Sequence, residues 1–162
     1  IPKIITVDGL ALCKAFLQSE YSSKNSSLIL LNIGASITNI VIINKNIPIF
    51  LRDINIGGNN FTRFILEKLN ISFEEAEKLK CNSEGKISLE NLLVPELKSL
   101  TTEVVLSIEY VRKNYNLKEI DCIYLSGGSV KLKGLIDFLE KNLKIKTCVW
   151  NPFNNVKNLE KI

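Results

Sequence analysis

The chain has 162 residues, of which 46% are apolar and 23% charged, and its formal net charge is +4. This composition is that of a globular protein with a real core, and the scattered lysines and arginines give no support for a nucleic-acid partner. The absence of histidine excludes Ser-His and Cys-His hydrolases, while four cysteines without metal-type pair spacing disfavour a zinc site.

The first third of the chain predicts a helix followed by three strands. Apolar residues at helical spacing from Leu10 to Phe16 predict the helix, with Asp8 as its cap. The strands are predicted over Leu28–Ile33, Thr38–Ile43 and Ile47–Leu51, the last two joined by the loop Asn44–Asn46. The stretch Ser27–Ile43 is uncharged, but polar residues interrupt its middle. It therefore predicts two strands and a turn, and no insertion into a membrane.

Helical patterns dominate the middle of the chain. One apolar face consists of Phe61, Phe64, Ile65 and Leu69. Ser72 is a suitable cap for the helix FEEAEKLK, which has acidic residues first and lysines last. A longer helix is predicted from about Leu89 to Tyr115, with regular structure beginning near Pro95. Its buried stripe consists of Leu93, Leu97, Leu100, Val104, Ile108 and Val111.

The last third of the chain predicts a strand, a glycine turn, a helix and a final strand. The first strand is Asp121–Leu125, and Ser126-Gly127-Gly128 leads from it directly into a helix over Lys131–Asn142. Thr147–Trp150 is the final strand. Hairpin strands, then helices, then strand–glycine–helix–strand predict an α/β lobe.

Two glycine turns are candidate anion sites. In the first, Asn32–Thr38, small residues let backbone N–H groups approach an anion, and Ser36 and Thr38 add hydroxyl donors. The alternative for this turn is a plain β-hairpin. In the second, Leu125–Leu135, a strand leads through Gly127 and Gly128 into the N-terminus of a helix, which favours phosphate. The alternative is a tight structural turn, and the segment matches neither G-x-x-x-x-G-K-[ST] nor G-x-G-x-x-G.

Six stretches carry a resemblance to one family: VDGLALCKAF, LLNIGASITNI, PIFLRDINIGGNNFT, ISFEEAEKLK, YLSGGSVKLKGL and NPF. They resemble the C-terminal half of the PilM family, actin-like cytoplasmic proteins of type IV pilus assembly, and more distantly FtsA. The resemblance implies an actin-like, ribonuclease H-like ATPase lobe, α/β in class, with a mixed sheet and flanking helices. It implies that residues 1–162 form the C-terminal lobe, with a small helical insertion at about 59–95. Because the chain starts with Ile-Pro and contains no methionine, we expect a fragment that lacks the N-terminal lobe.

The resemblance also implies a nucleotide site that holds ATP or ADP, with or without Mg²⁺. The implied phosphate-binding residues are Asn32, Gly34, Ala35, Ser36 and Thr38. The other implied nucleotide-binding residues are Gly57 and Gly58 beside the cleft, Glu77 and Lys80 toward the ribose and base, and Gly127, Gly128 and Ser129 as the adenosine motif. No catalytic or metal-binding residue is assigned. A solvated helix face for Glu77 and Lys80, and a structural helix start at Gly57-Gly58, remain open alternatives.

Two positions depart from the family pattern. The family usually has Asp at the position of Asn32, and an amide carries no charge for a cation. We therefore expect binding of nucleotide rather than robust hydrolysis. The family tends to have Glu-x-x-Arg-Ser in the long helix, where this chain has Glu103, Leu106 and Ser107. The missing arginine suggests an altered adenosine contact, and the alternative for Glu103 is a surface charge.

The resemblance predicts a nucleotide-binding cytoplasmic scaffold, peripheral at the inner membrane, that links inner-membrane pilus proteins to the motor. Its partners would be a PilN-like inner-membrane protein, mainly through the N-terminal half, and other pilus assembly proteins. Two alternatives stay open. One is an active actin-like ATPase or a sugar-kinase relative, and the other is a structural lobe that binds no nucleotide.

Overall fold

The computed structural model describes residues 5–22, 26–81 and 89–154 and contains one five-stranded mixed sheet. The order across the sheet is β3-β2-β1-β4-β5. The β1–β2 and β2–β3 pairs are antiparallel, whereas β4 runs parallel to both β1 and β5. The strands are β1 Ser27–Ile33, β2 Thr38–Asn44, β3 Ile47–Ile54, β4 Cys122–Ser126 and β5 Thr147–Val149. The predicted hairpin turn is confirmed, because Lys45 and Asn46 adopt left-handed conformations with φ of 50° and 63°.

The described residues contain six α-helices: α1 Asp8–Leu17, α2 Gly58–Leu69, α3 Phe73–Cys81, α4 Leu89–Leu92, α5 Val94–Tyr115 and α6 Leu135–Leu143. Pro95 lies in the first turn of α5, as predicted. The predicted cap of α1 is wrong: Val7 is the N-cap, its carbonyl accepts from Leu10 and Ala11, and Asp8 is the first helical residue. Asp8 instead places an acidic group in the first turn, where the helix dipole favours one.

The glycine turn after β4 differs from the prediction of a single helix beginning at Lys131. A short 3-10 turn covers Gly128–Lys131, and α6 begins only at Leu135. Between them Leu132 is extended and Gly134 is left-handed, with φ of 81°. Both conformations are incompatible with a continuing helix, so the chain breaks before α6 starts.

Each face of the sheet buries its own apolar cluster. The larger cluster includes the predicted stripe of α5, all six members of which are buried, together with apolar residues of α2 and α6. The smaller cluster lies beneath α1, where the ring of Phe16 packs 4.8 Å from Tyr124 and 5.1 Å from Trp150, centroid to centroid. Because β1 and β2 are covered on both sides, they are continuous apolar runs rather than alternating strands.

The stretch 59–95, predicted as a helical insertion, includes most of α2, all of α3 and α4 and the start of α5, and residues 82–88 lie outside the described part. Its division into a separate subdomain stays a prediction. Among the helices that the structure describes, none has the length and apolar character needed to cross a membrane.

Candidate functional site

A row of polar side chains crosses four neighbouring strands at the end of β1. Asn32 stands opposite both Asn39 and Ser126, and Asn39 stands opposite Asp53. Ser126 Oγ donates to Asn32 Oδ1 at 3.1 Å, Asn32 Nδ2 to Asn39 Oδ1 at 3.0 Å, and Asn39 Nδ2 to Asp53 Oδ1 at 2.8 Å. We call these four residues the polar ladder. An ionised carboxylate only accepts, so Asp53 fixes the direction of every donor along the row.

The first glycine turn is tied to the start of α2 through its carbonyl groups. Gly34 O accepts from Gly58 N–H at 2.9 Å, and Ala35 O accepts from Asn59 N–H at 2.7 Å. In a trans peptide the N–H points opposite to the C=O. The N–H groups of Ala35 and Ser36 are therefore directed away from α2, on a part of the turn that is solvent-exposed. Two adjacent outward N–H groups suit an anion.

The second glycine turn packs directly on the first. Ser129 Oγ donates to Gly34 O at 3.3 Å. Gly127 has a left-handed φ of 94°, and a Cβ there would lie 2.4 Å from Ile33 O, so the fold itself requires this glycine. At Gly128 a Cβ would meet no atom within 4 Å. The two turns, some ninety residues apart in sequence, thus form one continuous surface.

Glu77 and Lys80 of α3 lie against the start of α2. Lys80 Nζ donates to Gly58 O at 3.2 Å, to Thr62 Oγ1 at 2.8 Å and to Glu77 Oε2 at 2.8 Å. Thr62 Oγ1 also donates to Glu77 Oε2. A Cβ on Gly58 would lie 2.7 Å from Ser129 Oγ and 3.3 Å from Lys80 Nζ. This close packing explains why α2 begins with glycine.

The electrostatics of this pair follow from its burial. Lys80 is buried, so a solvated helix face does not describe it, whereas Glu77 is half-buried. Burial by itself opposes ionisation of Glu77, but hydrogen bonds from Lys80 and Thr62 and the lysine charge outweigh it and lower the pKa of the carboxyl. These bonds therefore favour the charged form of Glu77, which forms an ion pair with Lys80.

The hydroxyl groups of the first turn have different surroundings. Thr38 is fully buried, and its Oγ1 donates to Ile56 O at 2.6 Å. It thereby holds the segment that leads to Gly57. Ser36 is exposed and its Oγ accepts a 3.3 Å hydrogen bond from Asn59 Nδ2. Of these two predicted phosphate ligands, only Ser36 presents its hydroxyl group at the surface.

A large groove runs beside the second glycine turn and reaches Asn32 at the end of β1, with a volume of about 830 Å³. Its walls are α1 on one side and the second glycine turn on the other, and its end is formed by Trp150–Phe153. This volume is in the range of small-molecule sites. Of the predicted residues it includes only Asn32, Gly127 and Gly128, and the other predicted residues, Glu77 and Lys80 among them, are not in its lining.

Glu103 and Ser107, at the second place where the resemblance implies a different residue pattern, both contact Arg52 of β3. Glu103 forms an ion pair with the Arg52 guanidinium of β3, and the same guanidinium donates to Ser107 Oγ at 3.3 Å. Leu106 is half-exposed. Glu103 is therefore not an isolated surface charge, because it joins α5 to the edge strand β3.

The sequence interpretation missed three residues of this region. Asn39 and Asp53 complete the polar ladder, and Arg52 joins β3 to α5. Their positions in the sequence could have indicated them. Asn39 immediately follows Thr38, and Arg52-Asp53 lies in the stretch PIFLRDINIGGNNFT that resembles the family. Which strands these residues face becomes clear only from the strand register.

Comparison with known proteins defines the class of this fold and then the family. The fold is an actin-like α/β lobe. The structure of the ethanolamine utilization protein EutJ from Carboxydothermus hydrogenoformans matches with a TM-score of 0.68 at 22% identity over 86% of this chain and 46% of that chain. MreB 5 of Spiroplasma citri bound to AMPPNP matches with a TM-score of 0.67 at 15% identity over 87% and 52%.

The family follows from the sequence as well as the fold. The family profile of the type IV pilus assembly protein PilM matches residues 2–162, and the chain belongs to this family. The structure of a PilM–PilN type IV pilus biogenesis complex matches with a TM-score of 0.82 and 26% identity. That match covers 94% of this chain and 44% of the other, so the chain spans less than half the length of the chain it matches.

Proposed function

We propose that this chain is the nucleotide-binding lobe of a PilM-like scaffold in type IV pilus assembly. The scaffold would be cytoplasmic and peripheral at the inner membrane, where it links inner-membrane pilus proteins to the motor. Family membership supports the pilus role. The match to a PilM–PilN complex supports a PilN-like partner, which would contact mainly the other half of the intact protein. The nucleotide would be ATP or ADP, acting as a conformational cue between lobes.

The single observation that carries the nucleotide proposal is the joined surface of the two glycine turns. The carbonyls of Gly34 and Ala35 bind the start of α2, so the N–H groups of Ala35 and Ser36 face outward as phosphate donors. In the second turn Gly128 leaves open space that no part of the described fold fills. A glycine that the fold does not require is consistent with close approach of a ligand.

Binding without robust hydrolysis fits the polar ladder. Asn32 is neutral, and its amide already donates to Asn39 and accepts from Ser126. It provides no charge for a divalent cation, which prefers carboxylate oxygens. We therefore propose that nucleotide affinity depends little on Mg²⁺.

The first experiment is a thermal titration of the intact protein with ATP, with and without Mg²⁺. A ligand that binds only the folded state stabilises it by about 2.7 kcal/mol at a hundred times its Kd. We expect a saturating rise of Tm in both conditions. An unchanged Tm in both conditions would contradict nucleotide binding and favour the alternative of a structural lobe that binds no nucleotide. The hydrogen bonds that Thr38 and Lys80 form inside the protein are consistent with that alternative.

Gly127 and Gly128 provide a matched pair of variants for that titration. Gly128→Ala should leave the Tm without ATP unchanged, because its Cβ meets nothing within 4 Å. It should reduce the rise that ATP produces if the nucleotide approaches this turn. Gly127→Ala should lower the Tm without ATP, because its Cβ would overlap Ile33 O. A full ATP response in Gly128→Ala would place the nucleotide elsewhere.

The enzymatic alternative is tested by Asn32→Asp in the intact protein. An aspartate restores the acidic group that the family usually has, and it should raise Mg²⁺-dependent ATP turnover if the rest of the site is competent. Unchanged turnover in a folded variant would argue against an ATPase. The pilus role is tested separately by calorimetry with a synthetic PilN N-terminal peptide, and failure to bind would remove the main support for the scaffold.

A further inference from the structure

One edge of the sheet has no neighbouring strand in the described part of the chain. β3 is the outermost strand and pairs only with β2 there. In an edge strand, a row of backbone N–H and C=O groups points away from the sheet and can pair with another chain. Three consecutive residues of β3, Leu51, Arg52 and Asp53, are exposed. The outer side of β3 is therefore a candidate docking surface.

The two halves of this edge differ. Pro48 has no N–H to donate, and a register shift between Ile42 and Ile43 of β2 lies beside it. Prolines and bulges are devices that keep an edge strand from pairing with other chains. The second half of the strand, residues 49–53, contains neither of them. We call residues 49–53 the open edge.

On the face that carries α5, the side chains around the open edge are mainly apolar. The ring of Phe50 packs 5.4 Å from that of Tyr110, centroid to centroid. Tyr110 is 51% exposed, and Leu106, one helical turn earlier on α5, is 49% exposed. The charge of Arg52 on this face is compensated by its ion pair with Glu103. An added strand would therefore meet an apolar surface here.

On the opposite face, the open edge borders an acidic pocket of about 410 Å³ beside the start of α1. Leu51 packs against Gly9 of α1, where an added Cβ would lie 2.9 Å from Leu51 Cδ2. Asp53 points to the same face, because side chains two residues apart share a face of a strand. Asp53 and the exposed Asp8 both line the pocket. Within the described residues neither carboxylate has an ion pair, since Arg52 is paired on the other face.

We propose that the open edge binds an extended segment of a partner protein, which adds a sixth strand to the five-stranded sheet. The side chains of this segment alternate, apolar toward α5 and basic toward the acidic pocket, because successive residues of a strand point to opposite faces. In such strand addition, backbone hydrogen bonds give affinity, and the contacts of alternate side chains give specificity. The proposal goes beyond the proposed function and does not rest on nucleotide binding.

A synthetic peptide with this alternation tests the proposal on the intact protein. The peptide is KVKVKVKV, acetylated and amidated at its ends, and the measurement is hydrogen-exchange mass spectrometry. Amides that point away from the sheet exchange readily in the free protein, and an added strand should protect those of residues 49–53. Two control peptides change one property each: EVEVEVEV reverses the charge, and KKVVKKVV keeps the composition but removes the alternation. We expect KVKVKVKV to protect the open edge and the two controls to leave it unprotected.

Two variants test the acidic pocket through peptide affinity. Asp8→Asn and Asp53→Asn should each weaken binding of KVKVKVKV about threefold at low salt, as expected for an exposed ion pair. Asp137→Asn, which removes an exposed carboxylate of α6, is the matched control and should leave the affinity unchanged. The differences should vanish in high salt, because exposed charges are screened. Equal affinity in wild type and all three variants would overturn the basic character assigned to the segment.

Other outcomes would overturn the proposal as a whole. Unchanged exchange of residues 49–53, or equal protection by either control peptide, would show that no segment of this kind adds to the edge. Slow exchange of these residues in the free intact protein would show that another part of the protein already covers them. If dilution of the free protein speeds their exchange and halves its mass, the occupant is a second copy of the chain. The peptide controls change no residue of the protein, so these results do not depend on the folding of a variant.

Discussion

At the scale of single residues, the carboxylate of Asp53 determines which way the amide groups of the polar ladder are oriented. Asp53 can only accept, so Asn39 presents its NH₂ to Asp53 and its oxygen to Asn32. Asn32 then presents its own oxygen to Ser126. Asn32, where the family resemblance implies an aspartate, is therefore hydrogen-bonded on both sides.

This arrangement predicts that Asn39→Ala destabilises the chain. Asn39 is 4% exposed, and its removal leaves the Asp53 carboxylate and the Asn32 amide without the partner they have now. Loss of one partner of a shielded polar group costs about 1–3 kcal/mol. Urea unfolding of the 162-residue chain measures the change. Asn59→Ala is the control, since it loses only an exposed bond to Ser36 and should stay within about 0.5 kcal/mol of wild type. Equal losses in both variants would contradict the role of the ladder.

The burial of Lys80 and the pairing of Arg52 with Glu103 could not be predicted from the sequence. Lysines in FEEAEKLK follow acidic residues as they do on any solvated helix, and nothing local distinguishes Lys80 from Lys78. Lys80 is buried only because the start of α2, 22 residues earlier, lies against it. The pairing of Arg52 with Glu103 likewise joins residues 51 positions apart. Contacts of this kind depend on tertiary packing, which periodicity does not encode.

At the scale of elements, Ser72 caps α3 as the sequence predicted, and Glu75 makes the cap reciprocal, which was not predicted. Ser72 Oγ accepts from Glu75 N–H at 3.3 Å, and Glu75 Oε2 accepts from Ser72 N–H at 2.9 Å. These bonds satisfy two backbone donors at the helix start. Caps and buried stripes were predictable because they are local, whereas the break at Gly134 was missed because KLKGL also fits a continuous amphipathic helix.

The cap of α3 predicts the effect of Ser72→Ala. Loss of a serine cap costs about 1 kcal/mol, and here it would also loosen the helix that carries Glu77 and Lys80. Ser99→Ala on α5 is the control. The exposed Ser99 hydroxyl donates only to the Pro95 carbonyl of its own helix, and alanine has a high helix propensity. Urea unfolding should show a loss for Ser72→Ala and none for Ser99→Ala.

The same cap makes the free energy of unfolding depend on pH, and the direction of this dependence follows from the pKa of Glu75. Hydrogen bonds from the Ser72 backbone and hydroxyl lower the pKa of Glu75 below its ordinary value of 4.5. A lowered carboxyl pKa contributes stability above the unfolded value, and this contribution is lost as pH falls through the folded value. Wild type should therefore lose more stability than Ser72→Ala between neutral pH and pH values below 4.5. Because Ser72→Ala keeps the backbone N–H bond to Glu75, parallel pH curves for the two proteins would contradict the part assigned to the hydroxyl.

At the scale of the whole molecule, the sheet holds two apolar clusters that the sequence could not assign to faces. The runs of large aliphatic residues in β1 and β2 predicted burial, and the structure confirms it. They did not show that Leu28 and Leu30 pack under α1 while Ile29 and Leu31 pack on the opposite face. That division follows from the alternation of side chains along a strand, and it joins α1 to the same sheet that supports the glycine turns.

Phe16 tests whether α1 and the sheet fold as one unit. It is fully buried and its ring contacts Tyr124 of β4 and Trp150 beyond β5. Phe16→Ala should lower the free energy of unfolding by about 3–5 kcal/mol, whereas Leu10→Ala, on an exposed part of the same helix, should stay within about 0.5 kcal/mol.

Trp150 is the single tryptophan, so its fluorescence reports this contact directly while circular dichroism follows the whole chain. If α1 is an integral part of the lobe, both probes give the same midpoint in wild type. Fluorescence changing at a lower urea concentration than circular dichroism would show that α1 separates from the sheet first.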